Sequence, residues 1–186
     1  MIKNKNELIN IIKKAKDNED LNYIDISGLT DISNIFSRSK FNGKIDKWDT
    51  SNIRNMSGMF MNSSFNGDIS KWDTGNVRTM EHMFYDYYSD FLDISKWNTG
   101  NVRNMKSMFS YSKIKKINIS KWNIKNINDL SGMFFCSDFD LKNIYNWNIK
   151  EETNLYLFSD KIKNFSDLKE LKNKYIKINI LSKFLN

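Results

Sequence analysis

The sequence predicts an α/β solenoid, a right-handed stack of short parallel strands and short helices closed by a cap at each end. Three observations lead there. Trp48, Trp72, Trp97, Trp122 and Trp147 are separated by 24, 25, 25 and 25 residues, a period typical of stacked repeats. Apolar columns keep step with the tryptophans. Finally, 186 residues with 40% hydrophobic and 14% aromatic content exceed what a disordered chain carries, and no apolar run approaches 18 residues.

The elements follow in order. Residues 1–20 predict a helical cap, because Leu8, Ile9, Ile11 and Ile12 form a helical stripe within Lys5 to Lys16. Residues 21–160 predict six coils. Three residues before each Trp stand Ile45, Ile69, Ile94, Ile119 and Ile144, and two after stand Thr50, Thr74, Thr99, Ile124 and Ile149. Five after stand Ile53, Val77, Val102 and Ile127; eight after, Met56, Met80, Met105, Leu130 and Leu155; eleven after, Met59, Met83, Met108, Met133 and Phe158. Phe60, Phe84, Phe109 and Phe134 adjoin the last column, and a Trp-less first copy runs through Leu21, Ile24, Ile26, Leu29, Ile32, Ile35 and Phe36.

Alternation around the Trp predicts a short parallel strand, and the three-residue spacing of Met56, Met59 and their counterparts predicts a short helix. Each coil alone leaves its apolar face open, so stacking makes the core. Residues 161–186 predict the second cap. There Ser166 or Asp167 starts a helix bearing Leu168, Leu171 and Tyr175, and a strand over 176–180 closes the sheet edge.

The segment Phe65-Asn66-Gly67-Asp68-Ile69-Ser70-Lys71-Trp72-Asp73-Thr74-Gly75-Asn76-Val77-Arg78-Thr79-Met80, continuing to Met83-Phe84, resembles the 25-residue repeat of BspA-like leucine-rich-repeat proteins. The likeness recurs over residues 41–158 and more weakly from 21. It implies a leucine-rich-repeat-like fold and, for function, a bacterial surface adhesion or host-interaction role.

Charge narrows the partners. The chain carries 29 Lys and Arg against 22 Asp and Glu, a net +7, unevenly placed. Both termini are basic, while residues 96–128 hold eight basic groups and no acidic one between acidic flanks. A groove tracking a nucleic-acid backbone along the stack would be positive throughout, so a local acidic or mixed-charge patch on a protein fits better.

Two features stand out from the repeat. The loops of the third and fourth coils read Tyr85-Asp86-Tyr87-Tyr88-Ser89-Asp90-Phe91 and Ser110-Tyr111-Ser112-Lys113-Ile114-Lys115-Lys116. Stacking brings them to one edge, making Tyr85, Tyr87, Tyr88, Tyr111, Lys113, Lys115 and Lys116 the candidate partner-binding patch; some of the tyrosines also fit a role as loop plugs. Arg54, Arg78 and Arg103 form a row six after the Trp, suited to carboxylates or phosphates and equally explained by copying of the repeat. Lys47, Lys71, Lys96 and Lys121, beside Asp49, Asp73, Asn98, Asn123 and Asn148, read as a solvated face.

Chemistry is sparse. His82 is the single histidine and Cys136 the single cysteine, with no triad, metal-ligand spacing or phosphate loop around either. The pairs Asp90/Asp93 and Asp138/Asp140 lack the spacing of a calcium loop, and the nine Met fall mostly in core columns. The expectation is therefore a binding module without enzymatic activity, cofactor or metal. The N-terminal residues show no continuous apolar stretch, which predicts the cytoplasm of a bacterial or phage-infected cell. With Asn, Ile and Lys supplying about two-fifths of the residues, an AT-rich coding origin follows. A specific expectation is a phage or mobile-element inhibitor that sterically masks a host defence enzyme such as a CRISPR effector. Surface adhesion is the alternative, and nucleic-acid binding the second.

Overall fold

The computed structural model describes residues 2–162, 166–170 and 172–173. Within them the chain climbs in coils, each laid on the one before. One line of parallel bridges joins Asp31, Asn55, Thr79, Asn104, Asp129 and Asn154, rung to rung. The core is a single cluster running the length of the stack, and all five indoles lie inside it, 2–4% exposed.

Helix α1, Lys5–Lys14, starts where expected. Asn4 caps it by accepting the Glu7 amide at 3.0 Å, and the Glu7 carboxylate takes the Lys3 amide at 2.8 Å. Leu8 and Ile12 are buried, and Lys5 Nζ reaches Ser33 Oγ at 2.8 Å and Asp31 at 3.2 Å, clamping the helix to the first coil. At the far end, residues 166–170 and 172–173 are helical and Leu168 is buried. Lys172 Nζ donates to the Trp147 carbonyl, tying this segment to the last tryptophan coil. Leu171, Tyr175 and the expected strand over 176–180 lie outside the described residues.

Inside the coils the local structure differs from the expectation. Strands were expected around the Trp and helices around the Met–Phe pair. Among the described residues the coils contain only a two-residue strand pair, β1 (Tyr88–Ser89) and β2 (Lys113–Ile114), parallel to each other, and a four-residue 3₁₀ turn at Leu141–Ile144. The Trp segment is a turn: Trp48 N donates to Ile45 O at 3.2 Å, and the same turn recurs at Trp72, Trp97, Trp122 and Trp147.

The Met–Phe segment cannot be a helix, because two positions per coil take positive φ. One holds Asn34, Gly58, His82, Ser107, Gly132 and Leu157, and the other Arg38, Asn62, Asp86, Tyr111 and Cys136. A helix would also spend its amides on its own carbonyls. Here alternate amides point to the next coil, as Met56 N→Thr79 O (3.1 Å), Gly58 N→Glu81 O (2.7 Å) and Phe60 N→Met83 O (2.9 Å). The amides between them close local turns, as Met59 N→Met56 O at 3.3 Å and Met61 N→Gly58 O at 3.1 Å. Apolar residues three apart therefore reflect chained turns.

Rings stack along the axis. Phe36, Phe60, Phe84, Phe109 and Phe134 follow one another at 5.6–5.8 Å with planes within 14° of parallel. Each indole Nε1 donates to the coil below: Trp48 to Leu21 O (2.9 Å), Trp72 to Ile45 O (3.1 Å), Trp97 to Ile69 O (3.0 Å), Trp122 to Ile94 O (3.0 Å) and Trp147 to Ile119 O (3.1 Å). Thr50, Thr74 and Thr99 hydroxyls donate to the coil above at 2.9, 3.0 and 2.9 Å. The result is a core without buried side-chain N or O atoms lacking a partner among the described residues.

Candidate partner-binding surface

The two exceptional loops meet as expected, through β1 and β2. Lys113 N donates to Tyr87 O at 2.9 Å and Lys115 N to Ser89 O at 3.1 Å, and the pairing resumes at Leu92 and Ile117. Because side chains alternate along an extended segment, Tyr87 and Ser89 turn inward while Tyr88 and Asp90 turn out.

Tyr87 is thereby removed from the surface. It is 1% exposed, its hydroxyl donates to Phe65 O at 2.5 Å, and its ring packs edge-on against Phe84 at 5.1 Å. Burial pushes its phenol well above the ordinary tyrosine range. It fills beside Phe84 the place that Phe41 fills beside Phe36, Phe65 beside Phe60, and Phe139 beside Phe134. The residue is a core plug, one of the two roles open to it from sequence.

The remaining candidates form two groups. Tyr85 and Tyr111 touch at 5.4 Å in a row that begins at His82 (5.6 Å from Tyr85) and ends at Phe135 (5.7 Å from Tyr111). Burial holds His82 below the ordinary imidazole value, against the pull of Glu81 at 3.6 Å. Cys136 continues this edge. Its surroundings and the Asp160 carboxylate, 3.9 Å from the sulfur, push its thiol pKa up, away from the reactive thiolate.

The second group is more open. Tyr88 is 57% exposed with Lys113 Nζ 5.9 Å above its ring, and Lys115 pairs with Asp90 at 2.8 Å. That pair is about four-fifths exposed on both sides, so it orients the two side chains and adds little stability. Lys116 is exposed beside them, and so is Phe91 at 62%, an aromatic outside the patch expected from sequence. Its position, six before the Trp, holds Asn42 and Asn66 in the earlier coils and Lys116 in the next; the change to an aromatic was the signal available.

Ile114 and Lys115 form a ridge between two clefts. One, of about 720 Å³, is bordered by Asn66, Tyr88, Asp90, Lys113 and Asp138. The other, of about 490 Å³, is bordered by Phe91, Asp93, Lys116, Asp138 and Asp140. Each cleft has lysines, carboxylates and one aromatic ring on its border. Among the described residues no three His, Cys, Asp or Glu side chains converge as a metal site, and no helix is long and apolar enough to cross a membrane.

One family model matches the chain twice, over residues 6–91 and 89–175; its description is Mycoplasma protein of unknown function, DUF285. The chain belongs to the DUF285 family. This is a family of BspA-like repeats, in line with the resemblance read from Phe65 to Phe84, and the two DUF285 matches meet at the loop that carries Tyr88 and Phe91. No curated protein and no solved structure matches the chain.

Arg54, Arg78 and Arg103 stand at another point of the coil, all exposed. Their backbones join directly, Arg78 N to Arg54 O and Arg103 N to Arg78 O, both at 2.9 Å. A second ladder, not anticipated from sequence, runs two residues before them. Asn52, Asn76, Asn101 and Asn126 each donate to a carbonyl of the coil below, at 2.9, 2.7, 2.6 and 2.7 Å. The residues after the Trp also close local turns, since Asp49 and Asp73 accept from the amides of Ser51 and Gly75, and Asn98 and Asn123 from those of Gly100 and Lys125.

Proposed function

We propose that this chain is a protein-binding repeat module that acts by covering a partner's working face, anchored by Tyr88, Phe91, Lys113, Lys115 and Lys116. The observation that carries the reading is the register of β1 and β2, which holds two exposed aromatics and three lysines on neighbouring loops around two clefts. Aromatic rings give contact area at small ordering cost, and a rigid stack gives up little conformational freedom on docking. Asp90, Asp93, Asp138 and Asp140 border the same clefts, which favours a mixed-charge protein surface over a phosphate backbone.

In the same proposal the stack is a right-handed, leucine-rich-repeat-like solenoid of six coils over residues 21–160, and the chain binds without catalysing a reaction. In its narrower form the partner is a defence enzyme inside the cell, such as a CRISPR effector, and a nuclease assay with and without the chain tests that form.

The general reading is tested by capture with purified wild-type chain and a Tyr88→Ala/Phe91→Ala/Lys115→Ala variant. A protein retained from native lysate by the first and lost by the second supports it. Equal retention by both overturns the assigned surface, recovery only of nucleic acid with steep salt dependence replaces the partner class, and fractionation of the chain to the cell surface favours adhesion.

A further inference from the structure

We infer that the Arg54–Arg78–Arg103 ladder is a docking strip for an acidic α-helix on a protein partner. This strip is separate from the loop cluster and does not depend on it.

Three observations combine. First, the guanidinium-bearing residues lie on consecutive rungs: the direct Arg78 N→Arg54 O and Arg103 N→Arg78 O bonds place their Cα atoms about 4.8 Å apart. Second, the ladder is bounded by uncharged residues, Thr30 below and Asn128 above, whose backbones continue the same bonding. Third, among the described residues no ion pair involves the three arginines. Of the carboxylates next to the two bounding rungs, Asp31 pairs with Lys5 and accepts the Ser33 amide, and Asp129 accepts the Ser131 amide. The asparagine column beside the ladder bonds to backbone carbonyls and adds no charge.

Three like charges in a row, solvent-exposed and carried on rigidly spaced backbone rungs, ask for an anion array of matching pitch. From the first rung to the third the ladder spans about 10 Å. Carboxylates on one face of a helix, at i, i+3 or i+4, and i+7, span about 10.5 Å. Alternate carboxylates of an extended strand span about 13 Å, and three successive phosphates of one B-form strand, which rise about 7 Å while winding about a fifth of a turn, also span about 13 Å end to end. The helix comes within about 1 Å of the ladder's span and the others miss by about 3 Å, so the helix asks for the least rearrangement of the arginine side chains. Guanidinium forks can then take the carboxylates two bonds at a time.

The test uses the full chain and two labelled helical peptides of identical composition, one with Glu at i, i+4 and i+7 and one with the same Glu residues spread around the helix. Fluorescence anisotropy is expected to show binding of the first at least about tenfold tighter than the second. Each of Arg54→Gln, Arg78→Gln and Arg103→Gln weakens it by about 2- to 5-fold, the triple variant abolishes the preference, and Lys13→Gln, which removes one exposed charge from helix α1, leaves it unchanged. Unfolding curves of the exposed Arg variants should overlay wild type. Equal binding of the two peptides, or unchanged binding by the triple variant, overturns the inference. Tighter, Arg-dependent binding of an oligonucleotide of equal charge also overturns it and makes phosphate the ligand. Loss of the loop-cluster partner in capture experiments leaves this result untouched.

Discussion

The Trp arc and the Met–Phe arc of each coil join their neighbours by opposite means. In the Met–Phe arc the backbone does it, with alternate amides reaching the next coil from Met56 to Asn62 and at the matching positions of later coils. In the Trp arc the backbone closes its own turns and side chains make the junction: indole to the carbonyl below, Thr hydroxyl to the carbonyl above, Asn amide to the carbonyl below. Residue identity partly follows this division. The Trp column never varies over five coils, whereas one positive-φ column of the Met–Phe arc runs Asn34, Gly58, His82, Ser107, Gly132 and Leu157. The Asn52, Asn76, Asn101 and Asn126 column is as constant as the Trp column, but the division is not complete: the Thr column passes to Ile124 and Ile149, and the Phe36, Phe60, Phe84, Phe109 and Phe134 column of the Met–Phe arc is kept constant by ring packing.

That contrast can be broken deliberately, and the largest effect belongs to the Trp arc. Trp97→Ala removes a 3%-exposed ring and the bond to Ile69 O in mid-stack, and should lower unfolding free energy in urea by about 3–5 kcal/mol. Gly58→Ala attacks the other arc through its backbone. Its φ is +61° and an added Cβ would sit 2.1 Å from Asn34 Oδ1, so about 1–3 kcal/mol should be lost, partly recovered in a Gly58→Ala/Asn34→Gly double variant. Thr74→Val keeps shape but leaves Asn98 O without its donor, a loss of about 0.5–1.5 kcal/mol by the same measurement.

Acid sharpens the comparison with the smallest effect. Hydrogen bonds from the Ser51 hydroxyl and amide hold the Asp49 carboxyl below its ordinary value, and the Ser70 amide and hydroxyl do so for Asp68. A carboxylate lowered on folding contributes stability above its unfolded pKa, near 4, and that contribution disappears as pH falls through the lower folded value. Amide exchange followed from about pH 5 to about pH 2.5 should therefore loosen the Trp-arc turns first, ahead of the Met56–Asn62 junctions.

Much of the interior was legible because a repeated column leaves the same mark in every copy: Trp, Ile, Phe and Thr positions were read at their correct places. Local structure was not. Apolar residues three apart arise from a helix or from chained turns, and the left-handed positions that separate the two are disguised at His82, Ser107, Tyr111 and Cys136 by residues that do not advertise positive φ. The loop cluster was legible as a departure from the repeat. The inward turn of Tyr87 and the exposure of Phe91 were not. The two-residue pairing of β1 with β2 sets the first, and a break in the in–out alternation after Asp90 sets the second.

The most direct test follows the five indole protons. NMR hydrogen exchange at Trp48, Trp72, Trp97, Trp122 and Trp147 Nε1–H should reveal five protected signals, with the mid-stack ones exchanging only through global unfolding. Free exchange at the rate of an exposed indole, in even the three central tryptophans, would contradict a stack held together through its tryptophans.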